Sequence, residues 1–169
     1  GWIHPSGQYR AGDMLTAARQ READGKLLEA MRWMGGAVSA TDAADQWVDY
    51  ARLLLASAEA TDRNAARYRA RAVSAAVNGY LRADNAPIRA NALDQLARAL
   101  EAVNRGRDMI PALRLADQLA PREDRAAALD RAVGLYGFRI RDHEVLSDLA
   151  DPQVCAEFTE PLVKAGVDY

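Results

Sequence analysis

For some 120 residues the apolar positions of this chain recur every three to four residues, and near Gly137 that period gives way to two short runs that alternate every second residue. The first pattern is that of helices burying one face, and the second is that of strands. A chain that stops two strands into a new sheet is expected to be a piece of something larger, because two strands alone are only marginally stable in water. Three regions follow: a lead-in over 1–12, a helical-repeat region over 13–136, and the start of a truncated β-domain over 137–169.

The helical part is built from small side chains. Alanine supplies 36 positions, whereas aromatic residues make up 7% of the chain. Such a composition suits helices in close contact rather than a β-sandwich. The spacing predicts about seven helices, over 13–24, 26–39, 42–59, 62–82, 86–105, 108–120 and 122–136. Thr41 or Asp42, Thr61 or Asp62, Asn85 and Asp108 stand where an N-cap side chain can accept backbone N–H groups. Pro87 and Pro111 fall in first turns, where a proline loses no intrahelical bond, and Gly25, Gly106 and Gly137 stand where a helix can end in a left-handed residue. Turns this short imply antiparallel neighbours.

An internal repeat is visible in the small residues. Ala18, Ala30, Met34, Ala37 and Asp42 recur 79 positions later as Ala97, Met109, Leu113, Ala116 and Pro121. These offsets match the small-residue and turn positions of a 34-residue tetratricopeptide unit. Trp47, Tyr50, Ala51 and Leu54 can open a middle unit whose second helix carries an insertion of several residues. The fold class is therefore mainly α, as tetratricopeptide-like antiparallel hairpins or as a generic α-bundle, followed by two short β-strands. In those strands Phe138 and Ile140 alternate with Arg139 and Arg141, and Val154, Ala156 and Phe158 alternate with Cys155 and Glu157.

Charge and motifs narrow the function classes. The formal net charge is −2, with 20 arginines and only Lys26 and Lys164 as lysines, so bulk charge favours neither nucleic acid nor anionic lipid. The arginines Arg63, Arg67, Arg69 and Arg71 form a local series, but no interleaved aromatics offer base stacking, and Asp62 and Asp84 bracket it. A solvated face or an intramolecular salt-bridge network is the expected reading, and no nucleic-acid partner is expected. No run of residues is long and apolar enough to span a membrane, and the first residues, Gly1-Trp2-Ile3-His4-Pro5, lack the basic and apolar regions of a signal peptide.

Catalytic chemistry finds no motif. His4 and His143 are the only histidines, with no Cys or His at metal-ligand spacing. Cys155 and His143 could be cross-strand neighbours, yet nothing around Cys155 would lower its thiol pKa, so a sheet cysteine awaiting a disulfide partner outside this chain is the favoured reading. No phosphate loop, nucleophile elbow or His-Glu-x-x-His is present. Trp33, Trp47, Tyr50 and Tyr68 sit at helical spacing and are expected in the core. The expectation is a protein without enzymatic activity or cofactor, and Arg67, Tyr68 and Arg71 are the candidates for a protein-binding groove.

Three stretches carry a family resemblance. They are Asp45-Gln46-Trp47-Val48-Asp49-Tyr50-Ala51-Arg52-Leu53-Leu54-Leu55, then Arg105-Gly106-Arg107-Asp108-Met109-Ile110-Pro111-Ala112-Leu113-Arg114-Leu115-Ala116, and then Tyr136-Gly137-Phe138-Arg139-Ile140 with Pro152-Gln153-Val154-Cys155-Ala156-Glu157-Phe158-Thr159-Glu160. Together they resemble the N-terminal part of bacterial alpha-2-macroglobulin-like proteins, in the form that carries a helical region ahead of its first macroglobulin domain. The likeness covers about 42–169. It implies a large periplasmic or envelope-anchored protease inhibitor in which a bait region is cleaved and the attacker enclosed, with an internal thioester in some members. Neither bait nor thioester segment lies in this chain, so no inhibitory residue carries over. The implied partners are the rest of the same polypeptide and, for the whole protein, target proteases. Cys155 matches the family's first-domain strand cysteine, and its disulfide partner would come later in that domain, in an oxidising compartment. The other reading is a free-standing tetratricopeptide-like adaptor that binds a protein segment.

Overall fold

A computed structural model describes residues 10–137 of the chain. The two predicted strands, His4, His143 and Cys155 all lie outside the described residues. Contacts divide the chain into two units, Gly1–Leu129 and Asp130–Tyr169.

The described residues are mainly helical, with seven α-helices: α1 (Ala11–Ala23), α2 (Leu27–Thr41), α3 (Ala44–Ala60), α4 (Ala65–Arg82), α5 (Ala86–Ala102), α6 (Met109–Leu119) and α7 (Glu123–Ala132). The spacing of apolar residues thus located every helix to within a few positions. In the first unit each helix from α1 to α5 packs on the next, and α3 also reaches α5. The links between these helices are short, so helices consecutive in sequence lie side by side. In the second unit α7 ends and the chain continues as one π-helical turn, Val133–Gly137.

Several helix ends depart from the expected chemistry. Asn85 does cap α5, its Oδ1 accepting from the Ile88 N–H at 2.9 Å. Asp42 does not cap α3; it closes α2 in the left-handed region at φ 53°, and Ala43 precedes α3 without a side-chain cap. Thr41 serves the same link more locally, its Oγ1 accepting from the Ala43 N–H at 3.3 Å. Neither Thr61 nor Asp62 caps α4, whose first turn follows a left-handed Asn64, and Asp108 makes no side-chain cap for α6. Short polar side chains tolerate the left-handed region, and the chain uses them as turn formers instead of caps.

The same substitution explains Gly106. Past the end of α5 the chain turns at Asn104, φ 63°, with the Arg105 N–H bonded to the Leu100 carbonyl, while Gly106 lies buried in a 3-10 turn, Gly106–Asp108. Gly25 behaves as expected: at φ 77° it closes α1, and the Lys26 N–H bonds back to the Arg21 carbonyl at 2.8 Å.

The buried faces carry a register. On α2 the buried residues include Ala30, Met34 and Ala37; on α4, Ala72, Ala76 and Gly79; on α6, Met109, Leu113 and Ala116. Each trio steps by four and then three residues. Ala18, Ala51 and Ala97 are buried on α1, α3 and α5. Twelve positions separate Ala18 from Ala30 and Ala97 from Met109, but 21 separate Ala51 from Ala72, and the extra length lies in the longer helices α3 and α4. Met14, Met34, Leu53 and Leu54 are the largest side chains fully buried in the principal cluster, against which Trp33, Trp47 and Tyr68 pack half-buried.

Candidate functional site

Alanine and glycine leave room where larger residues would close the surface. Between α2 and α4, over α3, lies an open pocket of about 290 Å³ lined by Gly35, Val38 and Ser39 of α2, Trp47 and Tyr50 of α3, and Arg71, Ser74, Ala75 and Asn78 of α4. Gly35 brings its backbone against the Tyr50 ring, with 3.3 Å between the position of an added Cβ and the ring's edge. Trp47 and Tyr50 are three residues apart on one helix face, and their rings meet at a centroid distance of 6.1 Å, tilted by 56°.

Trp47 is held at its other edge. Its indole N–H donates to Asp42 Oδ1 at 2.7 Å, and Arg82 pairs with the same oxygen while its guanidinium lies 5.8 Å from the indole ring centre. The Arg82 bond, then the Trp47 bond, holds the Asp42 carboxyl below its ordinary range. Arg82 also donates to Asn78 Oδ1 at 3.1 Å, which turns the amide NH₂ of Asn78 away from that pair.

The pocket rim therefore has one sign. None of its lining residues is acidic, and Asp42, the acid nearest in sequence to its α2 wall, is already paired. Arg71 and, one turn earlier, Arg67 are exposed and make no ion pair among the described residues. Arg63, exposed, and Arg69, half-buried, likewise make no ion pair among the described residues, so of the two expected readings, a solvated face or an intramolecular salt-bridge network, the second is not seen. Helix α4 contains no acid at all.

Of the three proposed groove residues, the structure brings Arg71 to the pocket, leaves Arg67 on the exposed surface beside it, and sends Tyr68 half-buried against the core. Trp47, Tyr50 and Asn78 were not among the groove residues read from the sequence. Trp47 and Tyr50 read as core from their spacing, and Tyr50 is indeed 8% exposed, but core residues of a thin helical layer also form the floor of its clefts. No sequence signal links Asp42 to Arg82, forty positions away.

Two further charge clusters tie elements together. Arg52 of α3 reaches both carboxylate oxygens of Glu22 on α1, which lowers the Glu22 pKa mainly through that hydrogen bond. Asp49, beside Arg52, is instead pushed up because burial disfavours its charge. Arg125 of α7 is buried and bonds to Asp94 and Asn91 of α5 and to the Ala120 carbonyl. Burial raises the Asp94 pKa while Arg125 opposes the shift.

Among the described residues no three His, Cys, Asp or Glu side chains gather at metal-binding distances, and no helix is long and apolar enough to cross a membrane. No family model matches the chain, and no curated protein matches it.

Proposed function

We propose that this chain is a non-catalytic, tetratricopeptide-like scaffold that binds protein. The observation that carries this reading is the common register of the three hairpins: a buried alanine on each first helix, and buried residues stepping by four and three on each second helix. Small side chains at those positions let paired helices cross closely, and stacking such pairs leaves clefts between successive second helices. The α2–α4 pocket is one of them. In a repeat array each hairpin contacts only its neighbours, so local damage stays local. Hydrogen exchange on Met34→Ala tests this: faster exchange confined to α1–α3 is expected. An equal loss of protection in α5 and α6 would mark a single cooperative bundle and overturn the repeat reading.

The wider context we propose is the helical region of a bacterial alpha-2-macroglobulin-like protease inhibitor, located in the periplasm or on the cell envelope. Its support is the sequence resemblance over about 42–169, including the Cys155 segment. The helical module would then dock or space the remainder of that polypeptide, and target proteases would be partners of the whole protein. Sequencing the source reading frame past the Tyr169 codon decides it. Continuation into β-sandwich segments, with a second cysteine soon after Cys155, is the expected result; a stop codon there would leave the free-standing adaptor as the function.

A further inference from the structure

We propose that the α2–α4 pocket is a recognition site for an acidic protein segment, one carboxylate of which pairs with Arg71 while an adjacent apolar side chain enters over Trp47 and Tyr50. The inference deepens the protein-binding reading above and rests on it. Its basis is charge complementarity in the pocket's own chemistry.

The groups that face the opening are donors. Arg71 contributes an unpaired guanidinium, and Asn78 contributes the NH₂ left over when its oxygen accepts from Arg82. The hydroxyls of Ser74 and Tyr50 make no hydrogen bond to other described residues, so both are available to an acceptor. Ser39 is the exception, since its hydroxyl already donates to the Gly35 carbonyl at 2.9 Å. A carboxylate accepts only, and a guanidinium offers it a planar pair of donors, which is the strong form of such a bond. The other half of the pocket is apolar, formed by Val38, Ala75 and the Trp47 and Tyr50 rings. It is sized for one side chain, and ordinary ligand pockets begin at roughly 300 Å³.

Two features separate this site from a merely basic surface. Asp42 could have neutralised the rim, but Arg82 and the Trp47 indole occupy it. Arg67 lies one helical turn before Arg71 on the exposed face of α4, where a second carboxylate three or four residues along the bound segment would reach it.

The test uses the whole 169-residue chain and a fluorescein-labelled peptide of four Glu-Leu-Ser repeats, read by anisotropy at low and physiological salt. Saturable binding is expected, weakened about tenfold or more by Arg71→Glu, as for the loss of a bond between charged groups, and by less in Arg67→Glu. Arg71→Gln guards against a folding defect, and helical circular dichroism should be unchanged in all three. Arg98→Glu on α5, exposed and not among the residues lining the pocket, should bind as the unsubstituted chain does. The Trp47 indole N–H resonance should move on titration. A Lys-Leu-Ser peptide should not bind.

Equal losses from Arg71→Glu and Arg98→Glu, or no saturable binding, would overturn the site. So would tighter binding of a twelve-residue oligothymidylate, which would make the surface a phosphate-backbone binder. Glu-peptide binding that leaves the Trp47 resonance still and resists Arg71→Glu sinks this pocket but not the scaffold, which the exchange experiment on Met34→Ala judges separately.

Discussion

Arg125 donates through Nε to both carboxylate oxygens of Asp94, at 3.1 and 2.9 Å, and it does so with 3% of its surface exposed. Its other nitrogens meet Asn91 Oδ1 and the Ala120 carbonyl, so the guanidinium is satisfied on every side. This one side chain fastens the start of α7 to α5 where few large apolar residues are available. Removing Arg125 takes away the close partner of Asp94 and leaves it only Arg122, at 3.9 Å, so the cost is expected near the low end for a broken buried pair, about 3 kcal/mol. Arg125→Ala should therefore lower the urea midpoint sharply, and Arg125→Lys should recover little, because a point charge cannot replace the fork. A loss under about 1 kcal/mol would mean that the pair contributes little beyond its desolvation cost.

The helices were legible because their apolar period agrees with Pro87 and Pro111 in first turns and with Gly25 at the end of α1. Their ends were less so. Asp42, Asn64 and Asn104 adopt left-handed turns, and a sequence does not distinguish a short polar residue that caps from one that turns. The pocket was legible only through Arg71. Its floor is made by Trp47 and Tyr50, whose spacing reads as core, and its walls depend on α2 and α4 facing each other across α3, a relation between segments distant in sequence. The Arg125 anchor was invisible for the same reason, being bonded to residues more than thirty positions away.

Gly79 lets α4 pack tightly on α3. A Cβ there would stand 3.0 Å from Val48 Cγ2 and 3.4 Å from the Ala44 carbonyl oxygen. Val48 is β-branched and cannot swing aside freely on a helix. The Gly79→Ala substitution gains helix propensity but forces the pair apart, and a net loss of about 1 kcal/mol is expected. Gly12→Ala makes the contrast, since nothing lies within 4 Å of its Cβ, and it should stabilise by about 0.5–1 kcal/mol. Thermal melts of the two variants should move in opposite directions.

Ser57 is fully buried, yet its hydroxyl reaches only the Leu27 carbonyl, at 3.4 Å. A bond that long is weak, and Leu27 opens α2, so its carbonyl also has a partner one turn along the helix. The Ser57→Ala substitution should change stability by less than about 1 kcal/mol, because it removes a donor and leaves no acceptor stranded. A loss beyond about 2 kcal/mol would show that the hydroxyl is held far more strongly than its distance indicates.

Glu22 and Arg52 join α1 to α3, and their pairing predicts how stability depends on pH. The Arg52 hydrogen bond holds the folded-state Glu22 pKa below its ordinary 4.5. The stabilisation is therefore fully present above about 4.5, the unfolded value, and is lost as pH falls through the lower folded value. Both side chains are about one-third exposed, so solvent screens the pair and the effect is modest, on the order of 1 kcal/mol or less. Asp49 works against it nearby: burial raises its pKa, so its contribution has the opposite sign and is present below its ordinary value of 3.8. Denaturant midpoints between pH 3 and 7 separate the two. Glu22→Gln should be less stable than the unsubstituted chain at neutral pH, and the difference should close on acidification, whereas Asp49→Asn should be no less stable at neutral pH. An acid dependence unchanged by Glu22→Gln would show that the Glu22–Arg52 pair does not hold α1 to α3 in solution.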